Sequence, residues 1–255
     1  MAKFTGHTIT SDSALGSAVI KRSLRFNGEP GDDHYLERTP SSAGNRQVCT
    51  FSCWTKRSNI DVNHCLASAY SGNNNNDNIS LNLRSLGSGN CEFRVVGYAN
   101  NFRITNNKFR DPSAWLHLVV AFDTTQSSAD DRIKVYFNGV QETSFSTSGS
   151  VTQNMNIAFN DTSVHRIGTQ SNALSNTADG YIAEVNAFYD QTKDHTDFGE
   201  FKNGIWVPKE YTGSFGNSRD FQLKFLQTGT SQNSSGIGAD TSGNDNHFSV
   251  VNMGA

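Results

Sequence analysis

Along residues 20–190 the apolar side chains recur mostly at every second position, as in LHLVVAFD (116–123) and RIKVYFNG (132–139). Successive side chains of an extended chain point to opposite faces, so this period predicts strands with one face turned to a core. The runs fall at 20–26, 34–38, 48–57, 64–70, 79–84, 91–98, 102–105, 115–123, 132–137, 164–168 and 181–190. In DGYIAEVNAFYD (179–190), Tyr181, Ala183, Val185, Ala187 and Tyr189 would share one face. Ile182, Glu184, Asn186 and Phe188 would share the other, which leaves Glu184 as the one acid in a neutral row.

Polar clusters separate the runs: SGNNNNDN (71–78), TTQSSADD (124–131) and SNALSNTAD (171–179). Asn, Ser, Asp and Gly favour turns, and Asn138-Gly139 is a two-residue hairpin signal. One short helix is expected at 194–201 and no longer helical period is found. Many short strands with polar turns predict an all-β sandwich or barrel of antiparallel sheets. The pattern divides the chain into an N-terminal arm (1–19), a β-sandwich (20–192) and a C-terminal extension (193–255). That extension would hold the short helix, one strand at 221–226 and a polar tail.

Composition narrows this picture. Hydrophobic residues make up 35% of the 255, yet aromatics reach 11% with 17 Phe, so the core must be rich in Phe. The formal net charge of −3 and the lack of a basic run give no footprint for nucleic acid. No stretch is apolar enough for membrane insertion, and the N-terminus lacks an h-region, so synthesis in a cytosol is expected. Cys49 and Cys53 would lie about 13 Å apart on one strand, beyond the roughly 7 Å a disulfide spans. With no Cys-x-x-Cys spacing, the four cysteines, including Cys65 and Cys91, read as small buried thiols.

The ordered succession of SLRFNG, HYLERTPSSAGNR, CTFSCWTKRS, AWLHLVVAFDTT, IKVYFNGVQ, GYIAEVNAFYD, DFGEFKNGIWVPKEYTGSFG, FQLKFL and ADTSGNDNHFSVVN resembles laminin-G/pentraxin-like domains of tailed-phage virion proteins. The resemblance covers most of the chain. It implies a concanavalin A-like jelly roll of two packed antiparallel sheets, the N-terminal arm and C-terminal tail extended beside it. It also implies a virion-surface location, as capsid decoration or as tail or fibre. The partners it implies are other virion proteins, in multiple copies, with host-surface polysaccharide as a ligand.

Glycoside hydrolases on this sandwich carry Glu-x-Asp-x-Glu on one strand, because hydrolysis needs two carboxyl groups flanking the bond. The corresponding positions here are Glu184, Asn186 and Phe188, so two acids are missing and no catalytic residue is assigned. Glu184 reads instead as a carboxylate bonded to backbone or to an arginine. No enzyme motif stands in for it: there is no His-x-x-x-His, Gly-x-Ser-x-Gly or Gly-Lys-Ser/Thr. The resemblance to laminin-G and pentraxin domains, which often bind calcium, makes Asp32, Asp33, Asp161 and Asp179 the loop carboxylates on offer, although solvated loop acids are the plainer reading. No cofactor is otherwise expected, and Asp240–Asp245 (DTSGND) reads as a turn.

Stacking rings and planar amides suit sugars. Asn74, Asn76, Asp77, Tyr98 and Phe102 are the glycan-binding candidates, while Trp54, Trp115 and Phe122 are assigned to the core. In the terminal segments Phe4, Ile9, Phe248 and Val250 are apolar anchors in polar surroundings. They either augment a partner's sheet as an assembly interface or pack back on their own sandwich. On the first alternative, removing 1–19 or 227–255 would leave a folded sandwich that no longer assembles.

Overall fold

A computed structural model describes residues 18–28, 33–70, 78–97, 101–149, 151–170 and 176–253. The strands are, in chain order, β1 (Leu24–Phe26), β2 (Tyr35–Arg38), β3 (Val48–Arg57), β4 (His64–Tyr70), β5 (Asn78–Gly87), β6 (Asn90–Gly97), β7 (Asn101–Thr105), β8 (Leu116–Asp123) and β9 (Ile133–Phe137). They continue as β10 (Val140–Glu142), β11 (Phe145–Ser148), β12 (Val164–Ile167), β13 (Gly180–Tyr189), β14 (Gly199–Lys202), β15 (Ile205–Pro208), β16 (Phe221–Leu223) and β17 (Ser249–Val251).

Two antiparallel sheets form the sandwich. The seven-stranded sheet runs β1-β13-β3-β8-β9-β10, with β16 also paired to β13. The eight-stranded sheet runs β11-β7-β6-β5-β4-β12-β2-β17, and β14-β15 is a separate hairpin. The fold is all-β, as the period-2 pattern and the resemblance both imply. Alternation sends Cys49, Phe51 and Cys53 of β3 and Leu118, Val120 and Phe122 of β8 inward. There they meet Ile79, Leu81 and Leu83 of β5 and Phe93 and Val95 of β6. All four cysteines are free and buried, and burial raises the thiol of Cys91 to about 11.

The other face of the seven-stranded sheet is covered too. Phe198, Tyr211 and Phe215 pack on Val119 and Phe188. Trp206 and Ile20 pack on Trp54 and Ala183. Trp54 is therefore buried as expected, but outside the sandwich rather than between its sheets. Its neighbour Trp206 reaches this layer because Gly139 leaves room: a Cβ there would lie 2.2 Å from the Trp206 ring. Gly139 also turns the β9-β10 hairpin, with Asn138 at φ 46 and Gly139 at φ 78, the left-handed pair a tight hairpin requires.

Three expectations are corrected. The helix expected at 194–201 is a single 3-10 turn, His195–Asp197, capped by Asp194. After it the chain forms β14 and β15 around Asn203-Gly204, both at positive φ. The signal was the Asn-Gly pair. Second, residues beyond 193 are not appended to the sandwich, because β16 joins one sheet and β17 the other. Third, β13 does not alternate throughout. Its register against β3 shifts between Ala183 and Asn186, where Glu184 takes φ 47. That extra residue is a β-bulge. It puts Ile182 on the inward side together with Val185, Ala187 and Tyr189, and leaves Asn186 and Phe188 outward.

Candidate functional site

The bulge lies in the floor of a cleft of about 150 Å³ between the outer face of the seven-stranded sheet and the layer above it. Ser52 and Trp54 come from β3, His117 from β8, Glu184 and Asn186 from β13, and Gln222 from β16. Lys209, Glu210, Tyr211 and Lys224 form one wall, and residues 18–21 another. A cavity of this order holds a six-membered ring.

Glu184 owes its position to the way the edge of β13 is shared. β1 pairs with it as far as Leu24↔Ile182, and β16 begins at Leu223↔Val185. Residues 183 and 184 fall in the gap. The backbone carbonyl of Glu184 accepts from Asn186 Nδ2 at 3.1 Å. Its carboxylate has no hydrogen-bond partner among the described residues. The expected backbone or arginine partner is thus not there. Burial raises the Glu184 pKa to about 6, with Lys224 opposing and Glu210 adding to the shift. Glu210 is itself tied to Lys224 at 3.0 Å.

The other polar groups of the floor satisfy one another. Thr241 Oγ1 donates to Gln222 Oε1 at 3.0 Å, and Gln222 Nε2 donates to Asn186 Oδ1 at 3.0 Å. His117 is held between two rings, stacked on Trp54 at 4.6 Å and facing Trp206 at 5.9 Å. Trp206 Nε1 donates to His117 Nδ1 at 3.0 Å. An indole N–H is only a donor, so Nδ1 carries the lone pair and Nε2 the proton. His117 Nε2 therefore donates to Ser52 Oγ, 3.0 Å away, and cannot take a proton from it. A Ser-His nucleophile is excluded here, because its histidine must accept from the hydroxyl. Burial also holds the His117 pKa down near 3.

The residues expected to bind glycan are not brought together here. Asn74, Asn76, Asp77 and Tyr98 lie outside the described residues. Phe102 is 2% exposed and belongs to the main core, where its ring offers no face to a sugar. Among the assembly anchors, Phe4 and Ile9 lie outside the described residues. Phe248 is fully buried against Phe221, with ring centroids 4.9 Å apart. Val250 pairs with Leu36 of β2. Both tail anchors thus pack on their own sandwich, the second of the two alternatives open to them. Of the acids considered for calcium, Asp32 lies outside the described residues. Asp33 accepts from Thr177, Asp161 pairs with Arg46 and Asp179 with Arg25. Among the described residues no cluster of three His, Cys, Asp or Glu is placed to hold a metal ion.

Residues 30–195 match the family model described as the concanavalin A-like lectin/glucanases superfamily, Laminin_G_3. The chain belongs to this family. The lectin-like match supplies the cleft floor from β3, β8 and β13, whereas the covering segment 198–226 lies beyond the matched range. Among solved structures, a heptameric SAP-like pentraxin from Limulus polyphemus is similar at TM-score 0.50 and 13% identity, covering 71% of this chain and 82% of the pentraxin. A putative carbohydrate binding protein from Bacteroides ovatus is similar at TM-score 0.52 and 12% identity, covering 90% of this chain and 57% of that protein. Tailspike protein 2 of an Escherichia coli O157:H7 bacteriophage gives TM-score 0.48 and 14% identity over 75% of this chain and 25% of the tailspike. No curated protein matches the sequence. At these identities the likenesses to the pentraxin and the Bacteroides ovatus protein show the sandwich fold and nothing finer.

Proposed function

We propose that this lectin-like protein is a non-catalytic component of a tailed-phage particle, displayed on its surface as a capsid decoration or a tail or fibre subunit, whose cleft binds host-surface glycan. The observation that carries the reading is the cleft floor. It sets the half-buried ring of Tyr211, with Trp54 buried beneath, beside a carboxylate without a hydrogen-bond partner and a serine hydroxyl whose own proton has no acceptor among the described residues. Sugar recognition needs a ring face with a few convergent polar groups. The phage context is supported by the ordered run of sequence motifs. Made in the host cytoplasm and repeated beside other virion proteins, a weak site would gain avidity. Calcium would be at most an accessory.

The non-catalytic part is supported by the acids. The β13 row offers Asn186 and Phe188 where a second carboxylate would stand, and Glu210 is engaged by Lys224. A second reading, a glycan depolymerase, has one observation in its favour: Glu184, with its raised pKa, shares the cleft with Glu210. Binding of the labelled protein to host cells, with and without competing sugars and EDTA, tests the first reading. Saturable, sugar-competable binding without release of reducing ends is expected. Release of reducing ends that Glu184→Gln abolishes would establish the depolymerase instead, and absence of binding would remove the glycan role.

A further inference from the structure

We propose that Glu184 is the acceptor that reads the ligand in this cleft, taking hydrogen bonds from the hydroxyls of a neutral sugar only while it is a carboxylate, so that the sugar is held near neutral pH and released in mild acid. The proposal rests on the glycan reading of the cleft and specifies its chemistry. Three geometric facts lead to it. Glu184 is placed by a bulge, at φ 47, in the gap along β13 between the end of β1 and the start of β16. A left-handed glutamate is uncommon and disfavoured, and such strain concentrates where a side chain is aimed for use. Finally, the amides of Asn186 and Gln222 already bond to each other, and His117 bonds to Ser52 and Trp206. A hydroxyl entering the floor therefore finds Glu184 as its acceptor and the Ser52 hydroxyl as a donor.

Charge selects the class of ligand. Glu210 and Lys224 face Glu184 from the segment following β15 and from the chain after β16, and they pair with each other. Lys209 donates to the Thr196 carbonyl at 2.9 Å. Lys21 is exposed at the mouth, and His117 stays neutral. An anionic sugar would meet Glu184, and a cationic one would meet Lys224. A neutral polyol meets neither repulsion and supplies both donor and acceptor hydroxyls. Because the Glu184 pKa is raised to about 6, its ionised fraction falls from nearly all at pH 7.5 to about one in eleven at pH 5. Apparent affinity scales with the competent fraction, so it should weaken roughly tenfold over that range.

The test is a fluorescence titration, since Trp54 and Trp206 flank the floor. The full chain is titrated with glucose, galactose, mannose, glucuronate and glucosamine at pH 7.5 and 5.0. Glu184→Gln is compared, with Glu184→Asn as a second variant because asparagine tolerates the left-handed backbone. A neutral hexose should bind at pH 7.5 and about tenfold more weakly at pH 5.0. Both folded variants should bind weakly at either pH, without the pH step. Neutral-sugar binding that is equal at both pH values, or unchanged in both variants, would overturn the role of Glu184 and leave the glycan reading intact. Preference for glucuronate or glucosamine would overturn the neutral class. Absence of binding by all five sugars, together with absence of binding to cells, would overturn both readings.

Discussion

At the scale of single residues, Glu184 combines two costs in one place. A non-glycine residue in the left-handed region loses roughly 1–2 kcal/mol to the Cβ clash with its backbone. A desolvated carboxylate whose pKa rises from 4.5 to about 6 adds a cost of roughly 2 kcal/mol at neutral pH. Glycine accepts the same φ without the clash, at some cost from the freer unfolded chain. Glu184→Gly should therefore stabilise the protein by on the order of 2–3 kcal/mol, which is a rise of several degrees in Tm, while removing sugar binding. Differential scanning calorimetry at pH 7.5 would check it; a fall in Tm would mean that the carboxylate makes a stabilising contact. The sequence marked Glu184 as the odd acid of its row but not its freedom from partners. A one-residue bulge leaves GYIAEVNAFYD looking continuously alternate, because Ile182 and Val185 are both apolar. The local pattern cannot reveal that both point inward. Trp54 misled in a similar way: its burial was legible, but not that a distant segment buries it.

At the scale of elements, legibility followed the locality of the signal. Strands β3 and β4 have the bounds that alternation suggested, and Asn138-Gly139 turns its hairpin as expected. What pairing alone creates was not legible. Strand β17 is three partly exposed residues that become a strand only because β2 offers an edge. That pairing changes the expectation for a truncated chain. Residues 227–253 supply Phe248, Ile237 and Met253 to the main core. They also supply Asp240, whose carboxylate accepts from the backbone N–H groups of Gln222, Ser242 and Asn246 at 2.9 Å each. Removing one buried Phe side chain costs about 3–5 kcal/mol, against a total stability of roughly 5–15 kcal/mol. Deleting 227–255 should therefore abolish the cooperative melt rather than leave an intact sandwich. A truncated chain that melts cooperatively within a few degrees of the full one would refute this.

At the scale of the whole molecule, three histidines buried among the described residues couple the sandwich to acid. His117 sits on the outer face of one sheet, His64 lies on β4, and His165 on β12. Burial lowers their pKa values to about 3, 3 and 4 from 6.5. The hydrogen bonds fix neutral tautomers: Trp206 Nε1 donates to His117 Nδ1, and the Asn160 backbone N–H donates to His165 Nε2. Protonation would remove both acceptors. The unfolded chain takes up these protons near 6.5, whereas the folded one resists until 3–4. Below 6.5 the unfolded state therefore holds more protons, and stability falls as pH falls, by about 1.4 kcal/mol per histidine per pH unit. Glu184 acts in the opposite sense between about 6 and 4.5, since the folded state binds its proton first. Three protons lost against one gained leave a net of two, or about 2.8 kcal/mol per pH unit in that window. Urea unfolding at pH 6.0, 5.5, 5.0 and 4.5 would measure the slope. His165→Gln should lower it by one proton, and Glu184→Gln should raise it by one. A slope near zero in the parent chain, or one that neither substitution moves, would show that these groups do not titrate as their burial requires. Because Glu184→Gln steepens the acid loss of stability while flattening the acid loss of sugar binding, the two pH responses of this molecule are separable in a single variant.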